Sequence, residues 1–454
     1  MNSESTSPNT ERPGLEWFDD AKLGIMVSWG LYAVPGWAPL DPRLPEYLAG
    51  RVTSDGGPFA HMSPMATTSY SEWYLNSMSL VGTPTWFYHQ ARFGGAPYDS
   101  FRDDFERAVD ACQPEEWISL FREAGARYVV PLTKHHDGYL LYPSKVESPF
   151  RPGYHTKRDL IGDIATAARA QGMRLGLYYS GGIDWTAGGL PVSTMAQLEA
   201  SREERGPRFW PNPYPQYADA QYREIIDRYS PSILWNDIGY PAQANASALF
   251  EYYYSKVPDG IVNDRFSEAH SDFETPEYRK FDEIREKKWE MNRGVGLSFG
   301  FNRQESAADT LSGADIVRLL VNVVARGGNL MLGVGPDEFG RISPWQEKGL
   351  RELGRWMAVN GEAIYGTRSG EVPEHALGSG NVQWTQTAKA VNAIIDGTSG
   401  PVVLPVPSDQ FELGAVHRLG EGQEVVASAH DSGILIEGLR EVAEPRVVVL
   451  PRRR

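Results

Sequence analysis

Between residues 17 and 360 the chain alternates short apolar runs with amphipathic stretches of helical period. This pattern predicts parallel strands joined by crossover helices. The first apolar run, 23–30, enters a loop holding Tyr32, Pro35, Gly36 and Trp37. A helix is predicted over 114–124, with Pro at its start and Trp117, Leu120, Phe121 and Ala124 on one stripe; Gly125 ends it. Strand 127–133 follows and stops at Lys134, His135, His136, Asp137 and Gly138. The unit then repeats, with Leu160, Ile161, Ile164, Ala165 and Ala168 on a helix and a strand at 173–179. Helix 217–229 feeds strand 233–235, which halts at Asn236 and Asp237, and helix 244–256 leads to a short strand at 260–266. Run 294–300 reads as a strand, followed by a helix bearing Ile316, Leu320, Val323 and Val324, strand 329–334 and helix 344–360.

About seven strands are visible in this way, close to the eight that a closed barrel needs. The expected fold class is α/β, an irregular (β/α)8-like (TIM-type) barrel over 15–366. An open doubly wound sheet is the weaker alternative, because no G-x-G-x-x-G or P-loop follows any strand. From 367 to 454 helical periodicity gives way to β-branched runs at 391–395, 425–427, 434–436 and 447–450, separated by turn residues, as in a small C-terminal β-sandwich. Residues 1–14 read as a disordered tail. Two stretches lack a period, 39–68 and 186–215, and loops of that length tend to be functional.

Composition narrows the function. A formal net charge of -15 disfavours nucleic acid and anionic membranes as partners. The single cysteine, Cys112, allows no intrachain disulfide and no cysteine-based metal cluster, and nothing resembles a signal peptide or a membrane span; a cytoplasmic setting is expected. Thirteen Trp and twenty-two Tyr supply flat rings with polar edges, which suit sugars as well as core packing. The oligomeric state is not legible.

If the strands close a barrel, the residues at which they stop converge on its carboxyl-terminal face. These are His135 and His136, Tyr178 and Tyr179, Asn236 and Asp237, and Asn263, Asp264 and Arg265. Neither a metal nor another cofactor is expected. Neighbouring residues on a strand point to opposite faces, so His135 and His136 cannot share an ion without a bulge, and no other ligand spacing is present. One histidine is expected to face the cavity and the other to lie between strand and helix. A nucleophile elbow is absent, whereas carboxylates are plentiful. Asp237 with one of Glu72, Glu274, Glu277 or Glu290 could hydrolyse a glycosidic bond, one attacking the anomeric carbon and the other protonating the leaving oxygen. Arg265 and the histidines would hold sugar hydroxyls, and Trp73 and Trp235 would offer ring faces.

Lys-His-His-Asp-Gly at 134–138, Leu-Trp-Asn-Asp at 234–237, Asn-Asp-Arg at 263–265 and Leu-Ser-Phe-Gly-Phe-Asn at 297–302 closely resemble the α-L-fucosidase family of glycoside hydrolases. The motifs at 327–336 and 360–366 match in the same order. The resemblance implies an irregular barrel with a C-terminal β-sandwich and retaining hydrolysis through a glycosyl-enzyme intermediate. It places the nucleophile on Asp237 and the acid/base on Glu277. It places sugar contacts on Glu72, Trp73, His135, His136, Tyr178, Trp235, Arg265 and Phe299. The first strand departs from the family, with Met26 and Ser28 where the family usually has Phe and His. A working hydrolase with altered sugar or aglycone preference is expected. The alternatives are the same mechanism on a different sugar and a sugar-binding protein without catalysis.

Overall fold

The computed structural model describes residues 15–49, 62–194, 196–197, 212–370, 381–397, 400–420, 424–440 and 442–453. The expected tail over 1–14 lies outside them, as do 50–61 of the first long loop and 195 and 198–211 of the second.

Seven parallel strands form one curled sheet in the order β5-β4-β3-β2-β1-β7-β6. They are β1 (Leu23–Val27), β2 (Tyr128–Lys134), β3 (Arg174–Ser180), β4 (Ile233–Asp237), β5 (Ile261–Val262), β6 (Trp289–Gly294) and β7 (Gly328–Val334). The two edge strands do not pair directly. Residues 273–277 run between them and make isolated parallel bridges, Asn263 to Phe273 on one side and Glu274 to Trp289 and Glu277 to Asn292 on the other. This irregular segment occupies the place of the eighth strand, so the stretch carrying Glu277 is itself part of the barrel wall.

Helices cover the outside because their sequences are amphipathic and well capped. Pro114–Glu123 has Pro at its first turn and buries Trp117, Ile118, Leu120 and Phe121. Leu160–Ala170 is capped by the Asp159 side chain, which accepts the Gly162 N–H, and Gly313–Ala325 by Ser312 in the same way. With helices outside and packed side chains inside, every residue of β1, β2, β4 and β7 is buried.

The expected strand at 294–300 is a correction. The strand runs from Trp289 to Gly294, and the glycines at 296 and 300 with Ser298 lie in the loop that follows. Periodicity favoured the later run because Glu290 and Asn292 look polar, although both point into a buried interior. The run at 260–266 also shortens, to β5 and a 3-10 turn over Asp264–Phe266. Within the first long loop a helix forms over Arg43–Leu48.

Beyond Gly366 the chain builds a five-stranded antiparallel sheet in the order β12-β15-β10-β9-β8 and a three-stranded one in the order β11-β14-β13. The strands are β8 (Arg368–Ser369), β9 (Val382–Gln386), β10 (Ala390–Ile395), β11 (Val402–Leu404), β12 (His417–Arg418), β13 (Val426–His430), β14 (Gly433–Glu437) and β15 (Arg446–Pro451). Trp384, Ala393, Ile395 and Leu450 of one sheet share a core with Leu404, Ile434 and Ile436 of the other, as in a sandwich.

Candidate active site

At the carboxyl-terminal end of the sheet a pocket is lined by all twelve site residues expected from sequence: Met26, Ser28, Glu72, Trp73, His135, His136, Tyr178, Trp235, Asp237, Arg265, Glu277 and Phe299. Convergence follows from topology, since each strand of a parallel barrel delivers its last residues to the same face.

Asp237 closes β4. The chain then turns sharply, with the β-branched Ile238 at φ 59° and Gly239 at φ 89°. The turn is held by the Asp237 carbonyl, which accepts the N–H groups of Gly181 and Gly182 at 3.1 Å each, and by the Gly239 N–H on the Arg265 carbonyl at 2.9 Å. Its carboxylate accepts Arg265 Nη1–H at 2.9 Å on Oδ1 and the Tyr178 hydroxyl at 2.7 Å on Oδ2, with His136 Nε2 3.9 Å away. Burial pushes the Asp237 carboxyl up. The Arg265 and His136 charges and the hydrogen bonds from Arg265 and Tyr178 outweigh it and hold the group below its ordinary value.

Arg265 spans both carboxylates. Its other terminal nitrogen donates to Glu277 Oε2 at 2.9 Å, Nε donates to Thr275 Oγ1 at 3.0 Å, and its guanidinium carbon lies 4.7 Å from the centre of the Trp235 ring. Glu277 also accepts the Tyr70 hydroxyl at 2.7 Å. Of the other glutamates considered, Glu274 pairs with Arg285 at 3.0 Å and does not line the pocket. Glu290 is fully buried within the barrel, bound by Tyr128 and Trp235, and burial pushes its carboxyl up to about 7. Glu72 stands on a 3-10 turn, Ser71–Trp73, and accepts the Ser298 hydroxyl at 2.9 Å and the Gly300 N–H at 3.0 Å. Burial raises it to about 7.

The two histidines depart from expectation, because both line the pocket, their rings 4.0 Å apart. The β2–β3 register shifts between Leu132 and Lys134, and β2 ends at Lys134, so strict alternation no longer governs 135 and 136. His136 Nδ1 lies 2.6 Å from Ser180 Oγ, and burial holds His135 well below its ordinary value, as a neutral ring. No group of three or more His, Cys, Asp or Glu side chains able to hold a metal occurs among the described residues.

The changed first strand shapes one wall. Ser28 Oγ lies 3.2 Å from the Tyr32 hydroxyl, and Met26 stands beside it in the pocket lining. Phe299 reaches the pocket because Gly333 of β7 has no side chain; a Cβ there would come 2.5 Å from its ring.

Sequence reasoning missed Tyr70, Asn292 and Ile238, as well as Leu44, Leu48 and Met65 from the long loop. Asn292 was findable, since a strand placed at 289–294 would have aimed it inward two residues after Glu290. The loop leucines carry no periodic signal.

The family model for α-L-fucosidase matches residues 2–362. The tissue α-L-fucosidase of Homo sapiens is 28% identical over 402 residues, 84% of this chain and 76% of the relative. The α-L-fucosidase of Dictyostelium discoideum is 31% identical over 382 residues, 78% of this chain and 72% of the relative. The crystal structure of Thermotoga maritima α-fucosidase with a mechanism-based inhibitor superposes with a TM-score of 0.80 at 35% identity, over 96% of both chains. A further α-L-fucosidase structure reaches 0.84 at 36% identity, over 98% of both. With a family model that matches most of the chain, and a relative 31% identical over 78% of it, the chain belongs to the α-L-fucosidase family of glycoside hydrolases.

Proposed function

We propose that this protein is a retaining exo-glycosidase that releases L-fucose from α-L-fucosides, with Asp237 as nucleophile and Glu277 as general acid/base. The observation that carries the reading is a single guanidinium, Arg265, holding both carboxylates at 2.9 Å in the wall of one pocket. In the first step an Asp237 oxygen bonds to the anomeric carbon as the glycosidic bond breaks, and Glu277 gives its proton to the departing oxygen. In the second step Glu277 takes a proton from water, whose oxygen attacks the same carbon and releases Asp237. Arg265 and Tyr178 keep Asp237 ionised for attack. Glu277 accepts from Arg265 and Tyr70, so delivering a proton requires it to exchange Arg265 for the glycosidic oxygen. Glu72, Trp73, His135, His136, Trp235 and Phe299 line the remaining wall as sugar contacts.

The test is incubation with a 2-fluoro-fucosyl donor followed by peptide mass spectrometry. A glycosyl adduct on Asp237, α-fucose as the first anomer seen by NMR, and a loss of at least about 10³-fold in kcat for Asp237→Asn are expected. An unlabelled Asp237 together with no cleavage of aryl α-L-fucosides would sink the assignment, leaving a binding protein.

A second reading keeps the mechanism and changes the sugar, favoured by Met26 and by the Ser28 and Tyr32 hydroxyl pair in the pocket wall. A panel of related aryl glycosides separates the two, and a gain in fucoside cleavage by Ser28→His supports the second. The proposed organisation is a catalytic unit over 15–366 and a supporting β-sandwich over 367–454. A cytoplasmic setting is part of the same proposal, supported by the lone buried Cys112; cell fractionation tests it. No described helix is long and apolar enough to cross a membrane.

A further inference from the structure

Glu290 is a carboxyl with no part in the chemistry above, yet it crosses the barrel interior directly behind the pocket. It projects inward from β6, wholly buried. Its Oε1 accepts Trp235 Nε1–H from β4 at 3.1 Å, and its Oε2 accepts the Tyr128 hydroxyl from β2. The Tyr128 ring has room to reach there because Gly24 of β1, its register partner, lacks a side chain. The tethered indole carries the two groups that bind Asp237. The Arg265 guanidinium sits on its face at 4.7 Å, and the Tyr178 ring stacks on it at 5.5 Å with 22° between planes. Both then donate to Asp237, from Nη1 and the phenol.

We propose that Glu290 is a positioning residue that fixes the Trp235 indole as the platform aligning Arg265, Tyr178 and, through them, Asp237. This rests on the reading of Asp237 as nucleophile. The indole has one donor, and within the barrel that donor has one acceptor, Glu290. Without it no hydrogen bond of the indole N–H opposes rotation of the ring about its Cβ–Cγ bond. A tilt there moves the surface under the guanidinium and the Tyr178 ring together, and small misplacements of a reacting group are costly in rate. A carboxyl suits the place because its two oxygens can take donors from two different strands at once. An apolar side chain of equal length would fill the space and leave both donors unpaired.

The test compares Glu290→Met, Glu290→Gln and Trp235→Phe, singly and as the Met/Phe double variant, by steady-state kinetics on an aryl α-L-fucoside and by the rate of 2-fluoro-fucosyl labelling of Asp237. Glu290→Met is expected to slow labelling and kcat about tenfold or more while KM changes less than about threefold. Glu290→Gln keeps an acceptor oxygen for the indole and is expected to restore the rate to within about threefold of wild type. In the Trp235→Phe background, which has no N–H to tether, the methionine is expected to cost nothing further. The proposal is overturned if Gln falls as far as Met, or if the Met penalty persists in full in the Trp235→Phe background. Should Glu290→Met not fold, Glu290→Leu, which also removes both acceptor oxygens, replaces it in every comparison, with the same outcomes for and against. A wild-type protein that forms no adduct at all refutes the assignment of Asp237 instead, so the two failures are distinct.

Discussion

At the scale of single residues, the ionisation of Asp237 depends on donors contributed by other strands. The Tyr178 hydroxyl is one of them, at 2.7 Å, on a buried side chain. A hydrogen bond to a buried charge contributes about 1.5 to 3 kcal/mol, so Tyr178→Phe is expected to lower kcat/KM by roughly 10- to 100-fold. The pH profile should show the carboxyl of Asp237 titrating higher than in wild type, because a group that favours its ionised form has gone. Glu305 offers a second residue-scale test, away from the pocket. It accepts the N–H groups of Leu297 and Ser298 at 3.0 and 2.8 Å, and burial pushes its carboxyl up to about 8. A folded-state value above the unfolded one means that the folded protein holds the proton more tightly. Its destabilising effect is therefore absent below about pH 4.5 and complete above about 8. Relative to Glu305→Gln, the wild type should lose stability across that window, by a few kcal/mol at about 1.4 kcal/mol per pH unit. Urea midpoints for the two proteins at about pH 5 and about pH 8 measure it, and a constant difference between them would refute the claim.

At the scale of elements, the barrel works by trading side chains between neighbouring strands. Gly24 on β1 pairs in register with Tyr128 on β2, and a Cβ at 24 would lie 2.1 Å from the tyrosine ring. Gly24→Ala is expected to cost about 1 to 3 kcal/mol through forced displacement of that ring, read as a lower urea midpoint. It should also slow catalysis more than an equally destabilising helix substitution, because Tyr128 is the far anchor of Glu290. The same trade explains what could be read from sequence. Strands buried on both faces appear as unbroken apolar runs, so β1, β2, β3, β4 and β7 stood out, and most of the residues at which they stopped were pocket residues. The strand β6 did not, because its inward face carries Glu290 and Asn292, and polar groups inside a barrel look like a loop until their partners are known. The wall segment at 273–277 makes only isolated bridges, and no period marks it. Glu277 was therefore reached through resemblance, whereas Asp237 was reached through pattern. The histidine pair went astray for an equally local reason, a register shift at the end of β2 that alternation does not foresee.

At the scale of the whole molecule, the C-terminal sheets lie remote from the chemistry, since among the described residues none that lines the pocket comes after Phe299. They are nonetheless continuous with the barrel's core, in which Ile394, Val447 and Val449 join Leu350, Leu353 and Trp356. The junction includes directional bonds, Trp356 Nε1–H to the Pro445 carbonyl at 2.7 Å and Thr385 Oγ1–H to the Ala363 carbonyl at 2.7 Å. Helix Pro344–Asn360 thus packs against the barrel on one side and the sandwich on the other. If the sandwich supports the barrel without shaping the pocket, a defect at this junction should change stability and leave chemistry alone. Trp356→Phe removes the indole donor, strands a buried carbonyl and shrinks a ring that is almost wholly covered. A loss of about 1 to 3 kcal/mol is expected, seen as a lower thermal midpoint. At temperatures where both proteins are fully folded, kcat/KM on an aryl α-L-fucoside should stay within about twofold of wild type. A parallel fall in kcat/KM under those conditions would instead mean that the sandwich acts on the pocket through helix Pro344–Asn360, and the division into a catalytic and a supporting unit would have to be abandoned.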